Sequence, residues 1–164
     1  MSIESYIEGD PRMSINTNIK EKCLDPIREA FKGEGGSVDA ADIILLAISI
    51  YKNSGSEGMP NVDCIESFAN TGGKTQVLNY IRMSDDHLAY LFAESIVDMG
   101  IDKGLDFRLA SQKWEEWAEE GLKILYCNYF AKYYSQSDHA EFFKRIYDLT
   151  KNIDTPTENY QRSK

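Results

Sequence analysis

The chain has 164 residues, 42% of them apolar, 27% charged and 12% aromatic, which suits one globular domain and excludes wholesale disorder. Its 27 acidic against 18 basic side chains give a net charge of −9, spread evenly over both halves, and such a field disfavours general nucleic-acid binding. The three cysteines, Cys23, Cys64 and Cys127, are odd in number and widely spaced with no Cys-x-x-Cys, which predicts reduced, buried thiols in a cytoplasmic protein.

Residues 1–13 form a polar leader with Gly9 and Pro11 and no apolar run of the kind a signal peptide carries. The longest apolar run, residues 43–51, is about half the ~20 residues that span a bilayer, so no membrane insertion is expected. Residues 14–19 read either as a short strand or as the approach to a helix cap. A helix follows through Ile19, Cys23, Leu24, Ile27 and Phe31. Pro26 breaks its interior pattern, and Asp25-Pro26 reads as the start of a fresh turn, so a kink or two short helices are expected there.

Ser37 or Asp39 caps the next segment, residues 38–52, whose core IILLAISIY is apolar on every side and predicts a central buried helix. Two short helices are expected next, one on Val62, Ile65 and Phe68 that stops at Gly72-Gly73, the other on Val77, Leu78 and Ile81. Ser84 caps a clearer helix with Leu88, Leu91, Phe92, Ser95, Ile96 and Met99 on one stripe and Gly100 at its end. The longest element, residues 106–134, carries two adjoining apolar rows, one with Trp114, Trp117 and Gly121, the other with Leu122, Leu125 and Tyr129. Asp138 with Glu141 resembles a capping box opening a last helix through Phe142, Phe143, Ile146 and Leu149. Residues 152–164 are polar, contain Pro156 and read as a flexible tail. The expected architecture is therefore all-α: a single-domain bundle of about six to seven helices over residues 14–151, with a short N-terminal strand as the one open alternative.

Little in the chain has the spacing of catalytic chemistry. Gly73-Lys74-Thr75 matches the end of a phosphate-binding loop, but Phe68 stands where that motif needs its first glycine. His87 and His139 each follow aspartates near a helix start and lack a glutamate three residues earlier, so helix capping is the expected role rather than metal binding. The best enzymatic candidate is a carboxylate cluster. Glu116 and Glu119 share a helix face, as do Glu115 and Glu119, while Glu94 and Asp98 are one turn apart on the preceding helix. Glu94, Asp98, Glu116 and Glu119 together could hold Mg²⁺, which prefers oxygen ligands. The run Glu115-Glu116-x-x-Glu119 loosely resembles the all-α nucleotide pyrophosphatases. Their downstream Glu-x-x-Asp element is absent, since Glu141 is followed at that spacing by Lys144, so their function is not carried over.

Residues 14–52 resemble the ribbon-helix-helix proteins in order of elements, and Lys20, Arg28 and Lys32 would then supply phosphate contacts. Glu21, Asp25 and Glu29 interleave them, and the strand S-I-N-T-N-I holds no Arg or Lys to read bases. The remaining feature is aromatic: Trp114, Trp117, Tyr126, Tyr129, Phe130 and Tyr133 crowd one long helix, and tyrosine and tryptophan favour interfaces. The leading expectation is a non-enzymatic protein-interaction module, a helical adaptor, regulator or subunit of a prokaryotic or phage assembly. It needs no cofactor and binds a protein partner or itself through those six aromatics. A Mg²⁺-dependent nucleotide hydrolase and a ribbon-helix-helix-like DNA-binding protein follow as alternatives.

Overall fold

A computed structural model describes residues 11–33, 38–53, 64, 72–99 and 107–152. The leader up to residue 10, the helix expected around Val62 to Phe68 (Cys64 apart), the Gly100 helix stop and the tail from residue 153 lie outside the described residues. So do the side chains of Ile81, Ile96, Asp98, Met99 and Leu149.

The chain enters through strand β1 (Arg12–Asn16), which pairs antiparallel with β2 (Lys74–Asn79). Met13 lies opposite Leu78 and Ile15 opposite Thr75, with a bulge between Met13 and Ser14. Alternation places Met13 and Ile15 on the core side, where both are fully buried. Asn16 belongs to both alternatives left open by the sequence: it ends the strand and caps the following turn, Thr17–Ile19. Its Oδ1 accepts from the N–H groups of Asn18 at 2.9 Å and Ile19 at 3.3 Å.

The coil then widens into a π-helical turn, Lys20–Leu24, closed by the Asp25 N–H on the Lys20 carbonyl, before helix α1 (Asp25–Gly33). The π turn lies where Pro26 lacks an N–H and its ring would press on the carbonyl four residues earlier. The kink expected at Pro26 is realised as this local change of pitch.

Helix α2 (Ala40–Asn53) is the expected central helix. Asp39 caps it: its carbonyl accepts from Asp42 at 3.1 Å, and the Asp42 carboxylate accepts the Asp39 N–H at 3.3 Å. Ile43, Ile44, Ala47, Ile48 and Ile50 are all buried, which explains why the segment is apolar all round. Residues 77–81 were expected as a helix. Instead Val77 and Leu78 belong to β2, followed by a single 3₁₀ turn, Tyr80–Arg82. Too few apolar residues occur there to distinguish a period of two from one of 3.6, and the free ladder groups of β1 decide the outcome.

Helix α3 (Asp85–Met99) begins after Ser84, whose Oγ accepts the His87 N–H at 3.2 Å. Helix α4 (Phe107–Leu125) continues into a second π turn, Tyr126–Phe130, closed by the Ala131 N–H on the Tyr126 carbonyl at 2.8 Å. The long helix thus ends about ten residues before the expected boundary as regular α-helix. A 3₁₀ turn (Tyr134–Gln136) and Ser137 at φ 65° reverse the chain. Asp138 then caps α5 (His139–Asn152), its Oδ1 accepting the Glu141 N–H at 3.4 Å.

The result among the described residues is five helices and a two-stranded antiparallel sheet, mostly helical as expected, but not a bundle of six or seven. Helices α2 and α4 form its centre. They cross so closely at Ala47 and Gly121 that a Cβ on Gly121 would run into the Ala47 carbonyl group. Trp114 is fully buried beside them, with Tyr80, Phe92 and Phe107 edge-on to its ring at 5.4–5.5 Å. Its Nε1 donates to Ser95 Oγ at 2.6 Å, and Ser95 in turn donates to the Leu91 carbonyl at 2.8 Å, so the buried indole N–H is satisfied. Among the described residues no helix is long and apolar enough to cross a membrane.

Candidate functional site

The carboxylates of α4 divide between structure and solvent. Asn16 donates its N–H to Glu119 Oε1 at 2.7 Å, and the Ser14 N–H bonds to Glu115. These two N–H groups lie on the edge of β1 that faces away from β2. Two residues along a strand span about 6.7 Å, and four along a helix span about 6 Å. A Glu-x-x-x-Glu pair therefore matches alternate N–H groups of an adjacent strand edge and covers groups that would otherwise invite another strand. Burial pushes the Glu115 carboxyl up, opposed by Lys74 at 3.6 Å and by the Ser14 N–H.

Glu116 instead lies exposed beside Lys113 at 3.5 Å. Glu94 is buried on α3, with Lys52 Nζ at 3.9 Å. Lys52 lies 4.0 Å from the centre of the Trp117 ring, and the Tyr90 hydroxyl accepts from Ser49 at 3.0 Å while also bonding to Glu94. Three of the four residues expected as metal ligands thus serve separate contacts, and the Asp98 side chain lies outside the described residues. Among the described residues no three His, Cys, Asp or Glu side chains gather as a metal-holding group.

The nucleic-acid candidates lie along the first π turn and α1. Lys20 pairs with Asp25 at 2.9 Å, while Arg28 and Lys32 are exposed on the turns beyond. Strand β1 pairs within its own chain on one edge and meets α4 on the other, so neither edge is open to pair with a strand of a second copy. Gly73-Lys74-Thr75 opens β2, where the Thr17 N–H and hydroxyl both donate to the Gly73 carbonyl at 3.0 Å. His87 lies 3.8 Å from Asp42, and His139 stacks on Tyr134 with ring centres 3.8 Å apart.

The six aromatics separate by burial. Trp114, Trp117 and Phe130 belong to the core at 0%, 3% and 7% exposure, whereas Tyr126, Tyr129 and Tyr133 are half-buried at the surface. The two tryptophans, expected among the partner-binding aromatics, lie buried within the chain. They satisfied the helical period equally well as core or interface; Tyr80, Phe92, Phe107 and Ser95 surround Trp114, and Lys52 of α2 lies over Trp117. The π turn changes the angular spacing after Leu125, directing Phe130 inward to Phe142 (ring centres 5.7 Å) while Tyr129 and Tyr133 remain outside.

An open groove of about 620 Å³ lies on this face, lined among others by Cys64, Cys127, Tyr129, Lys132, Tyr133 and Arg145. Arg145 lies 5.3 Å from the centre of the Tyr133 ring and Lys132 lies 5.5 Å from it, so two cations flank one aromatic. Arg145 also donates to Glu141 at 2.7 Å, which strengthens its charged form. Burial pushes the Tyr129 hydroxyl up, Tyr133 adds to this, and Arg145 opposes it.

Cys64 and Cys127 are joined in a disulfide, with Cα atoms 5.9 Å apart; this corrects the expectation of three reduced thiols. The 63-residue separation hid the pair in the sequence, and only Cys23 stays free and buried. Burial pushes the Cys23 thiol up to about 12, against the pull of Lys123 and Lys22. No protein-family model, curated protein or solved structure matches the chain.

Proposed function

We propose that the protein is a non-enzymatic interaction module, a helical adaptor, regulator or subunit of a prokaryotic or phage assembly, that docks its partner on the surface formed by Tyr126, Tyr129 and Tyr133. The observation that carries this reading is that three tyrosines stay half-buried at the surface after the core has taken both tryptophans and Phe130, two of them, Tyr129 and Tyr133, lining an open groove. Tyrosine gives large contact area with little conformational freedom to lose, and its hydroxyl tolerates water before docking. The net charge of −9 favours a partner with a basic surface, within which an acidic group would meet Lys132 and Arg145. The Cys64–Cys127 disulfide favours an oxidising compartment, or a transient redox role, over a permanently reduced cytoplasmic existence.

Light-scattering mass on the purified chain, with stoichiometric capture of a partner from native lysate, tests the reading. The expected result is a defined dimer or one fixed companion. Tyr129→Ser with Tyr133→Ser abolishes that assembly, while Glu116→Gln leaves it intact. A monomer without a companion, or an assembly indifferent to the tyrosines, rejects it. Mg²⁺-dependent thermal stabilisation lost in Glu116→Gln would instead support the hydrolase alternative.

A further inference from the structure

The groove on the tyrosine face is also where the molecule presents its disulfide. Both half-cystines line it, Cys127 at 7% exposure and Cys64 half-buried, so Cys64 is the more accessible of the two residues. Among the described residues its charged lining consists of Lys132 and Arg145, both cations in a chain of net charge −9. We propose that this groove is a thiol–disulfide exchange site, in which an anionic, carboxylate-bearing thiol, guided by Lys132 and Arg145, reduces the Cys64–Cys127 disulfide.

The chemistry balances with two molecules of thiol. The first thiolate attacks Cys64 Sγ; a sulfur–sulfur bond forms to the incoming group as the Cys64–Cys127 bond breaks. The electron pair leaves on Cys127 Sγ as a thiolate, in the field of the two cations, which favour its charged form. A second thiolate attacks the incoming sulfur of the mixed disulfide, releasing the oxidised dimer of the reagent and leaving Cys64 as a thiolate. Both protein thiolates then take protons from water. The two reagent thiols are oxidised to one disulfide, and the protein disulfide is reduced to two thiols.

Three features select the reagent. The groove's volume, about 620 Å³, is that of a site for a small organic molecule rather than for the catalytic domain of another protein. A carboxylate on the thiol would find Arg145 and Lys132 both within 5.5 Å of the Tyr133 ring centre. At physiological salt charges beyond about 8 Å are largely screened, so the local cations rather than the net charge govern the final approach. Glu141, bonded to Arg145, opposes them. The inference does not rest on the docking reading, because exchange is read with small thiols alone.

The experiment follows reduction of the folded full-length chain by 3-mercaptopropionate, 2-mercaptoethanol and cysteamine, quenched with acid and read by mass after alkylation. Rates are expressed per thiolate and divided by those of the same reagent on a small neutral disulfide, so that differences in thiolate fraction and in intrinsic nucleophilicity cancel. The anionic reagent is expected to react about tenfold faster than the cationic one, with the mixed disulfide mapped to Cys64. Lys132→Gln with Arg145→Gln, both exposed positions, brings that ratio to one or below, and Glu141→Gln raises it. High salt collapses the ratio in the unaltered chain, a measurement that needs no variant. A cationic reagent that reacts as fast or faster, a ratio unmoved by both salt and substitution, or a mixed disulfide on Cys127 would overturn the proposal. So would reduction that occurs only when urea unfolds the chain. Cys23, buried and poorly ionised, serves as the unreactive internal reference.

Discussion

Gly121→Ala tests whether the centre of this fold is set by backbone contact between α2 and α4. The added methyl would overlap the carbonyl oxygen and carbon of Ala47 and come within 3.1 Å of its Cα, so the obstacle is main chain. A side chain could turn aside; a helix backbone held by Ile44, Ile48, Trp114 and Leu122, each at most 1% exposed, has to move as a body. Overpacking against side chains costs about 1–3 kcal/mol, and against buried backbone the cost lies at or above the top of that range. Alanine's better helix propensity returns about 1 kcal/mol. The net expectation is a loss of at least about 2 kcal/mol, read as a lower urea midpoint by far-ultraviolet circular dichroism. That corresponds to a fall of at least roughly 4–8 °C in Tm for a chain of this size. Ala47→Gly should not rescue the variant, because the Ala47 methyl is not the obstacle. Gly33→Ala, where a Cβ meets nothing within 4 Å, is the control and is expected to be neutral or to stabilise by up to about 1 kcal/mol. A Gly121→Ala protein as stable as the parent, or one rescued by Ala47→Gly, would refute the claim that main chain sets this crossing.

Lys52→Met is expected to cost about 3 kcal/mol by leaving the Glu94 carboxylate buried without its nearby cation, and Lys52→Met with Glu94→Leu to recover most of it. Additive losses in a double-mutant denaturation cycle would contradict that coupling. The Glu115 carboxyl, pushed up chiefly by burial, binds its proton more tightly in the folded state than in the unfolded chain. Its contribution is thus fully present below the unfolded pKa and lost as pH rises through the folded one. Glu115→Gln retains an acceptor for the Ser14 N–H and should flatten this decline in urea midpoints taken from about pH 4 to 7; an unchanged slope would assign it elsewhere.

The comparison of sequence with structure turns on which forces act over a few residues. Helix caps at Ser84 and Asp138 were legible because a cap is a side chain bonding to an N–H two or three residues away. The buried character of α2 was legible because apolar residues on every side leave no face for water. The acidic run on α4 was equally visible, but its meaning was not: nothing within residues 114–120 states that Glu115 and Glu119 lie beside the open edge of a strand a hundred residues earlier. The same limit applies to Val77 and Leu78, whose strand exists because β1 offers a ladder.

The candidate site was half visible. Sequence period collected Trp114, Trp117, Tyr126, Tyr129, Phe130 and Tyr133 onto one element, but a helical stripe reads alike whether it faces a core or a partner. Tertiary packing brought Tyr80, Phe92 and Ser95 to Trp114 and Lys52 to Trp117, and the π turn after Leu125 rotated Phe130 inward and left the tyrosines out. By itself, then, the sequence determined the mostly helical character, the caps at Ser84 and Asp138 and the apolar character of the central helix, because hydrogen bonding and periodicity act within a few turns. Only the tertiary structure decided the strand pairing, the Cys64–Cys127 bond and the separation of core aromatics from surface ones, because each joins residues that only the folded chain brings together.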